Sequence, residues 1–214
     1  MMKAVIFDMD GVIVDTMNMH WSASSEIFSR EGLSVPKKEM KKFDTMRTND
    51  AFKLFFPAKS DKEIDRLVSE KYSLLEKKVS GIKPIPGFLE FFFKIKGKYP
   101  IALVSSSRTG FIEFILNEIG ERNSFNAIFG AESVSKGKPD PEGYLKAAKS
   151  LGFKPAECLV IEDSIFGIKS AKKAGCKCIA VTNTYDRNFL LDADLIVDSL
   201  KELSIKKVEA LFNA

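Results

Sequence analysis

Two aspartates near the start of the chain, Asp8 and Asp10, flank a single residue and are followed by Gly11. The residues before them, Ala4–Phe7, are continuously apolar, which is typical of a central strand covered on both faces. Gly11 lets the chain turn away at once, because it has no side chain to oppose a positive φ. Ligands of open α/β sheets bind at the carboxyl ends of the strands. The motif therefore predicts two acids placed for phosphate chemistry on a bound magnesium ion.

Polar side chains that suit phosphate also follow two later apolar runs and occupy one turn. Ser105 follows one run, and Glu162 and Asp163 follow another. Lys138 lies in the Gly-Lys-Pro-Asp-Pro turn of residues 137–141, before a predicted helix. Each signal alone is common, and an isolated Asp-x-Asp usually caps a helix or faces solvent. Their combination in this order predicts one phosphate-handling site.

The elements that must position these residues alternate between apolar runs and segments of helical character, the pattern of a doubly wound parallel sheet. The later runs predict strands over 101–104, 127–129, 159–161 and 179–181. The helices are predicted to begin near 87, 109, 141, 164 and 199 and to end near 98, 119, 151, 174 and 212. Gly175 is expected to stop the fourth of these helices.

Residues 16–82 break this alternation and show helical periodicity instead, with Met17, Trp21 and Phe28 on one face. A gap of this length between adjacent parallel strands is unusual unless much of it folds separately. The sequence therefore predicts an α/β fold: a Rossmann-like core of residues 1–15 and 83–214 that carries an inserted all-helical cap domain of residues 16–82. The connections near residues 14–15 and 81–86 are the expected hinges.

Taken together, the motifs resemble those of haloacid dehalogenase superfamily hydrolases, in the branch of β-phosphoglucomutases and small sugar-phosphate phosphatases. The matching segments are residues 8–16, 104–107 and 137–141. Glu162-Asp163-Ser164-x-x-Gly167, continuing to Gly175, is the most diagnostic string. The helical insertion between the first two motifs is similar to the mobile cap of that family.

The resemblance implies a role for each residue. Asp8 is the nucleophile that would form an aspartyl phosphate, and Asp10 is the acid that protonates the leaving group and later activates water. An aspartate with the ordinary pKa of ~3.9 is ionised at neutral pH, so Asp8 is expected to attack without a general base. Magnesium would offset the repulsion between this carboxylate and the anionic phosphate. The implied magnesium ligands are Asp8, Asp10 through its backbone carbonyl, Asp163 and, beside them, Glu162, and the implied phosphate contacts are Asp8, Ser105, Ser106 and Lys138.

The candidates for substrate specificity are His20, Arg47 and Arg108. By counting from Asp8, His20 occupies the position at which β-phosphoglucomutases carry a cap histidine. All three candidates are explained at least as well by packing within the cap or by exposed charge.

Other positions depart from the mutase pattern. The expected mutase lysine falls on Val68, and the cap loop of residues 44–49 lacks a glycine and has Thr48 where an arginine is expected, although Arg47 or Lys71 could substitute. A mutase must hold a bisphosphate intermediate, whereas a phosphatase needs no second phosphate clamp. The departures therefore favour hydrolysis of a small phosphomonoester such as a sugar phosphate. The alternatives are a β-phosphoglucomutase or related sugar phosphomutase and a non-catalytic domain that binds phosphorylated metabolites.

Composition narrows the possible partners. Lysine and arginine number 33 against 29 acidic residues, and this net charge of +4 is spread along the chain, so no nucleic-acid partner is expected. No run of 18 apolar residues and no signal-peptide pattern is present, so no membrane association is expected. Three cysteines and one histidine do not suit a zinc site and predict reduced thiols. We expect a cytoplasmic monomer or weak homodimer that acts on a phosphorylated small molecule.

Overall fold

The computed structural model describes residues 1–40, 43 and 46–213. Within these residues, six strands form one parallel sheet. The strands are β1 (Ala4–Phe7), β2 (Ile101–Val104), β3 (Ala127–Phe129), β4 (Cys158–Glu162), β5 (Lys177–Val181) and β6 (Leu195–Val197). Their order, β3-β2-β1-β4-β5-β6, reverses direction beside β1 and defines a doubly wound sheet. The predicted α/β fold class is confirmed.

Among the described residues, five helices lie between β1 and β2, and we call the first four the inserted helices: α1 (Met17–Arg30), α2 (Lys37–Met40), α3 (Thr48–Phe55) and α4 (Asp61–Lys78). The later helices are α5 (Phe88–Ile95), α6 (Thr109–Glu118), α7 (Glu142–Leu151), α8 (Ile165–Ala174) and α9 (Ile205–Ala210). Gly175 ends α8 in the left-handed conformation with φ of 85°, as expected. In the described part of the chain, no helix has the length and apolar character needed to cross a bilayer.

Strand β1 is buried on both faces because its alternate side chains enter two different clusters. Val5 and Phe7 belong to the larger cluster, whereas Ala4 and Ile6 belong to the smaller one. Phe7 also packs edge-on against Phe88 of α5, with ring centroids 5.6 Å apart. This packing on both sides fixes the carboxyl end of β1, where Asp8 follows.

The carboxyl-terminal region differs from the sequence prediction. Strand β6, a run of only three residues, was not predicted, and the single helix predicted over 199–212 is wrong. A 3₁₀ turn over Leu200–Glu202 and the separate helix α9 replace it. The break arises because the side chains of Ser199 and Ser204 each accept a bond from a following backbone N–H, so each serine starts a new helical segment.

Helix α4 begins with a capping box whose removal should have a measurable cost. Ser60 Oγ accepts a bond from the Glu63 backbone N–H, and the Glu63 carboxylate accepts one from the Ser60 backbone N–H at 2.8 Å. Replacing Ser60 with Ala should lower the free energy of unfolding by about 1 kcal/mol. Urea denaturation of the variant and of a Ser73→Ala control, which alters the same helix away from its start, would measure this loss. An unchanged midpoint for Ser60→Ala would show that the cap does not support the fold.

Candidate active site

The site forms where β1 and β4 end side by side. Phe7 is in register with Ile161, and the Asp8 backbone N–H donates to the Ile161 carbonyl at 3.0 Å. This pairing brings Asp8 next to Glu162 and Asp163, and one carboxylate oxygen from each of the three lies within 4.8 Å of the others. All three residues are buried. The acids therefore converge at the point where the strand order reverses, as the sequence predicts.

Lys138 reaches this cluster from the turn before α7, in which the Lys138–Pro139 peptide bond is cis. Its Nζ lies 2.6 Å from Asp8 Oδ1 and 2.5 Å from Glu162 Oε1. Burial alone would lower the pKa of Lys138, but the two carboxylates raise it above its ordinary value. The ammonium group is thus held charged beside the proposed nucleophile, where a phosphoryl group would need it.

Glu162 is engaged by protein donors on both oxygens. Oε1 accepts from Lys138 and from the Tyr144 hydroxyl at 2.9 Å, and Oε2 accepts from the backbone N–H groups of Asp163 and Ser164 at 2.9 Å each. Burial raises the pKa of Glu162, but the bonds from Lys138 and Ser164 outweigh it and hold the pKa below its ordinary value. A Cβ at Gly167 would overlap this carboxylate. Glu162 is therefore arranged to orient Lys138.

The charge balance of the cluster suits a divalent cation. Asp8, Glu162 and Asp163 face one lysine, and burial raises the pKa of Asp8 to about 8 and that of Asp163 well above its ordinary value. The expectation of an ordinary pKa for Asp8 is therefore wrong, because burial penalises its charge more than Lys138 stabilises it. A bound cation with oxygen ligands would favour the ionised forms. Since both oxygens of Glu162 already accept hydrogen bonds, Asp8 and Asp163 are the side chains best placed to hold the cation.

Asp10 lies beside this cluster and has different partners. Its carboxylate accepts bonds from the Thr16 hydroxyl and, at 3.4 Å each, from the hydroxyls of Ser105 and Ser107. Burial raises the pKa of Asp10, although the bond from Thr16 opposes the rise. A raised pKa is the direction that a general acid at neutral pH requires. Gly11, with φ of 79°, turns the chain here, and a Cβ on it would overlap the Asp163 carboxylate.

His20 and Lys71 form a polar pair next to Asp10. Lys71 Nζ lies 3.0 Å from His20 Nδ1, and because an ammonium group only donates, Nδ1 is the acceptor and Nε2 carries the hydrogen. His20 Nε2 lies 3.8 Å from Asp10 Oδ1 and has no hydrogen-bond partner among the described residues. Burial and then Lys71 lower the pKa of His20 well below its ordinary value, so the ring is neutral.

The specificity candidates differ in where they lie. His20 lines a cavity beside Asp10, and Lys71 rather than Val68 shares it, because Val68 is fully buried elsewhere on α4. Arg47 donates to Asp50 at 2.6 Å and to the Val134 carbonyl at 2.9 Å.

Arg108 donates to Ser69 Oγ at 2.9 Å. Both arginines thus connect the inserted helices to the core.

Ser106 lines the cavity that contains Asp8, Ser105 and Lys138. Of the cap loop compared with mutases, Asp44 and Thr45 lie outside the described residues.

The sequence interpretation did not name every residue of the site, and two of those it missed lie in one loop. Thr184 donates its hydroxyl hydrogen to Asp163, and Asn183 Nδ2 donates to the Gly11 carbonyl at 2.8 Å. Both follow β5, the neighbour of β4, in the polar run of residues 182–184. The signal was available, since polar residues at the carboxyl end of a predicted strand identified the other site residues.

Comparison with known proteins agrees with this geometry. The sequence profile of the haloacid dehalogenase-like hydrolases matches residues 5–181, and the chain belongs to this family. The resemblance inferred from the motifs is therefore confirmed.

Relatives within the family include both phosphatases and a mutase. The validoxylamine A 7'-phosphate phosphatase of Streptomyces hygroscopicus subsp. limoneus is 28% identical, covering 95% of this chain and 96% of that protein. The β-phosphoglucomutase of Bacillus subtilis is 32% identical over 96% and 93%, respectively. The solved β-phosphoglucomutase of Clostridium difficile superimposes with a TM-score of 0.89 at 27% identity, covering 100% of this chain and 98% of that chain.

Proposed function

We propose that this protein is a magnesium-dependent phosphatase that hydrolyses a small phosphomonoester through an aspartyl phosphate on Asp8. The observation that carries the proposal is the position of Asp8: its carboxylate faces Lys138 at 2.6 Å inside a polar cavity that Asp10 also lines. The proposed nucleophile Asp8, its partner Lys138 and the proposed acid Asp10 therefore line one cavity. The phosphatases among the relatives support the same class of reaction.

The side chains divide the work of two successive steps. Asp8 Oδ attacks phosphorus as the bond to the alcohol oxygen breaks, and Asp10 gives its proton to that oxygen. Asp10, now a carboxylate, takes a proton from water, which attacks the same phosphorus and releases inorganic phosphate from Asp8. Lys138 and Ser105 stabilise the phosphoryl oxygens throughout.

Magnesium would be held by Asp8 and Asp163, with Thr184 fixing the Asp163 carboxylate. When bound, it would supply positive charge that offsets the repulsion between the carboxylate and the phosphate. The fold itself keeps bulk water away from these carboxylates, because Asp8 is only 6% exposed and Asp163 only 3%.

We also propose that residues 16–82 act as a cap over the site, between core segments 1–15 and 83–214. The chain leaves and re-enters the core through one narrow connection, where Val14 pairs with Pro84 and the Ile85 N–H donates to the Ile13 carbonyl at 2.8 Å. Two adjacent chain segments joined in this way can bend as a hinge. The contacts of Arg47 and Arg108 described above support a closed arrangement.

A sugar phosphomutase is the second candidate, and the pair of His20 and Lys71 favours it. The pair places donor groups beside Asp10, in the cavity next to the phosphoryl site, where a mutase would orient its intermediate. The sequence comparison assigned the mutase lysine position to Val68, but Lys71 reaches the cavity in its place.

One assay separates the candidates. With Mg²⁺, the purified protein should release inorganic phosphate from members of a phosphomonoester panel, and chelation with EDTA should stop the release. Conversion of β-glucose 1-phosphate to glucose 6-phosphate with a bisphosphate primer, without net phosphate release, would identify a mutase instead. Binding of phosphomonoesters without either product would indicate the non-catalytic alternative.

A further inference from the structure

Two cavities meet beside Asp10. The first contains Asp8 and Lys138 and is the phosphoryl site. The second lies between the inserted helices and the core and is partly open to solvent. Asp10, Met17 and Ser106 line both cavities. An alcohol whose phosphate lies at Asp8 therefore extends past Asp10 into the second cavity.

The polar groups of the second cavity form one group next to Asp10. His20 lies 3.8 Å from Asp10, and Lys71 lies 3.0 Å from both His20 Nδ1 and Thr48 Oγ1. Lys71 is the only lysine or arginine among the described residues that line this cavity.

Aromatic rings form the wall beyond this polar group. The Phe28 ring lies 5.1 Å from Phe52 and 4.8 Å from Phe55, and Phe55 lies 4.8 Å from Phe43, measured between centroids. Trp21, the one tryptophan of the chain, also lines the cavity. The rings thus form a continuous apolar surface that a ligand meets after it passes Asp10.

Methionines complete this lining, since Met17, Met40 and Met46 face the same space. Their flexible thioethers adapt to the shape of an apolar ligand and contact aromatic rings favourably. A sugar placed here could reach hydroxyls such as those of Ser24 and Thr48, but it would bury its other hydroxyl groups against carbon and sulfur, which opposes binding. An aromatic body would gain from leaving water and from ring packing.

We propose that the alcohol released by this enzyme carries an aromatic body, which the second cavity binds while the phosphate lies at Asp8. The proposal rests on the phosphatase function proposed above. It names the class of substrate as phosphomonoesters of aromatic alcohols, with the hydroxyl on a short chain that passes the polar group of His20 and Lys71.

The kinetic test compares two esters of primary alcohols, so that the leaving oxygens are chemically alike. Benzyl phosphate should be hydrolysed with a kcat/KM at least about tenfold above that of glucose 6-phosphate. Phosphate release by the full chain with saturating Mg²⁺ gives both values. Equal or better hydrolysis of glucose 6-phosphate would overturn the substrate class and leave the phosphatase function standing. Hydrolysis of neither ester would count against both proposals.

Neighbouring residues of α3 provide a matched pair of variants. Phe55 lines the cavity, whereas Leu54 is 58% exposed and does not. Phe55→Gln should lower the kcat/KM for benzyl phosphate about tenfold and reduce its ratio to glucose 6-phosphate, and Leu54→Gln should change neither value. An unchanged ratio in Phe55→Gln would contradict the proposal.

Trp21 offers a readout that needs no turnover. The phosphonate 2-phenylethylphosphonate replaces the ester oxygen of benzyl phosphate with carbon and cannot be hydrolysed. Its titration into the Mg²⁺-loaded wild-type protein should change the Trp21 emission in a saturable way, whereas inorganic phosphate alone should not. An identical response to both compounds, or no response to either, would show that the aromatic body does not occupy the second cavity.

Discussion

Replacing Asp8 with Asn should abolish turnover, with a loss in kcat of at least about 10⁴-fold. The amide has nearly the same shape as the carboxylate but is not a nucleophile, so the first step of the proposed reaction cannot occur. Asn also removes one of three buried carboxyl groups that crowd around Lys138, so folding should not suffer. Phosphate release with the best ester of the panel measures the loss, and thermal unfolding verifies the fold.

Asp192→Asn is the control, because Asp192 is an exposed acid outside the site and the hinge. It should retain wild-type activity. Acid quenching during turnover of a radiolabelled ester should trap labelled wild-type protein and no labelled Asp8→Asn protein. Ordinary turnover by Asp8→Asn, or labelling that persists in it, would remove Asp8 from the role of nucleophile.

The parts of the fold that were predicted share a strong local signal. In a chain that alternates apolar runs with helical segments, a continuous run such as Ala4–Phe7 is typical of a buried parallel strand. The prediction of β1 and its neighbouring strands rests on this pattern. Strand β6 was missed although β3 is equally short, because its three apolar residues stand between Asp194 and Asp198 in a segment with the character of a polar loop. The serines that divide the last predicted helix are ordinary helix-surface residues by composition, and only their backbone bonds reveal them as caps.

The site was predictable as a set of residues but less so as a set of charges. Polar residues after strands identified Asp8, Ser105 and Asp163, because parallel strands bring their ends to one edge. The raised pKa of Asp8 was not predictable, since it depends on burial by distant segments. Counting assigned the mutase lysine position to Val68 and named Lys71 only as a substitute, because helix geometry, rather than sequence alignment, decides which residue of α4 faces the cavity.

Replacing Asp163 with Asn should separate metal binding from stability. In the metal-free protein, burial and then the neighbouring carboxylates of Glu162 and Asp8 penalise the charge of Asp163, and replacement by the neutral Asn removes this cost. We expect Asp163→Asn to raise the Tm of the metal-free protein by a few degrees, the shift that about 1 kcal/mol produces in a chain of this size. Differential scanning calorimetry in EDTA measures this gain, and Asp192→Asn, at an exposed acid, should show none.

The same variant should lose the response to Mg²⁺. A ligand that binds only the folded state raises its stability, so Mg²⁺ should raise the Tm of the wild type and of Asp192→Asn but not of Asp163→Asn. Mutation of a residue that only orients a metal ligand lowers metal affinity or activity by about 10–100-fold. Loss of a ligand itself should therefore lower kcat/KM by more than about 100-fold at limiting Mg²⁺. A variant that is more stable without metal yet inactive with it is expected only if the buried acids are kept together for the cation. Equal stabilisation of all three proteins by Mg²⁺ would place the metal elsewhere.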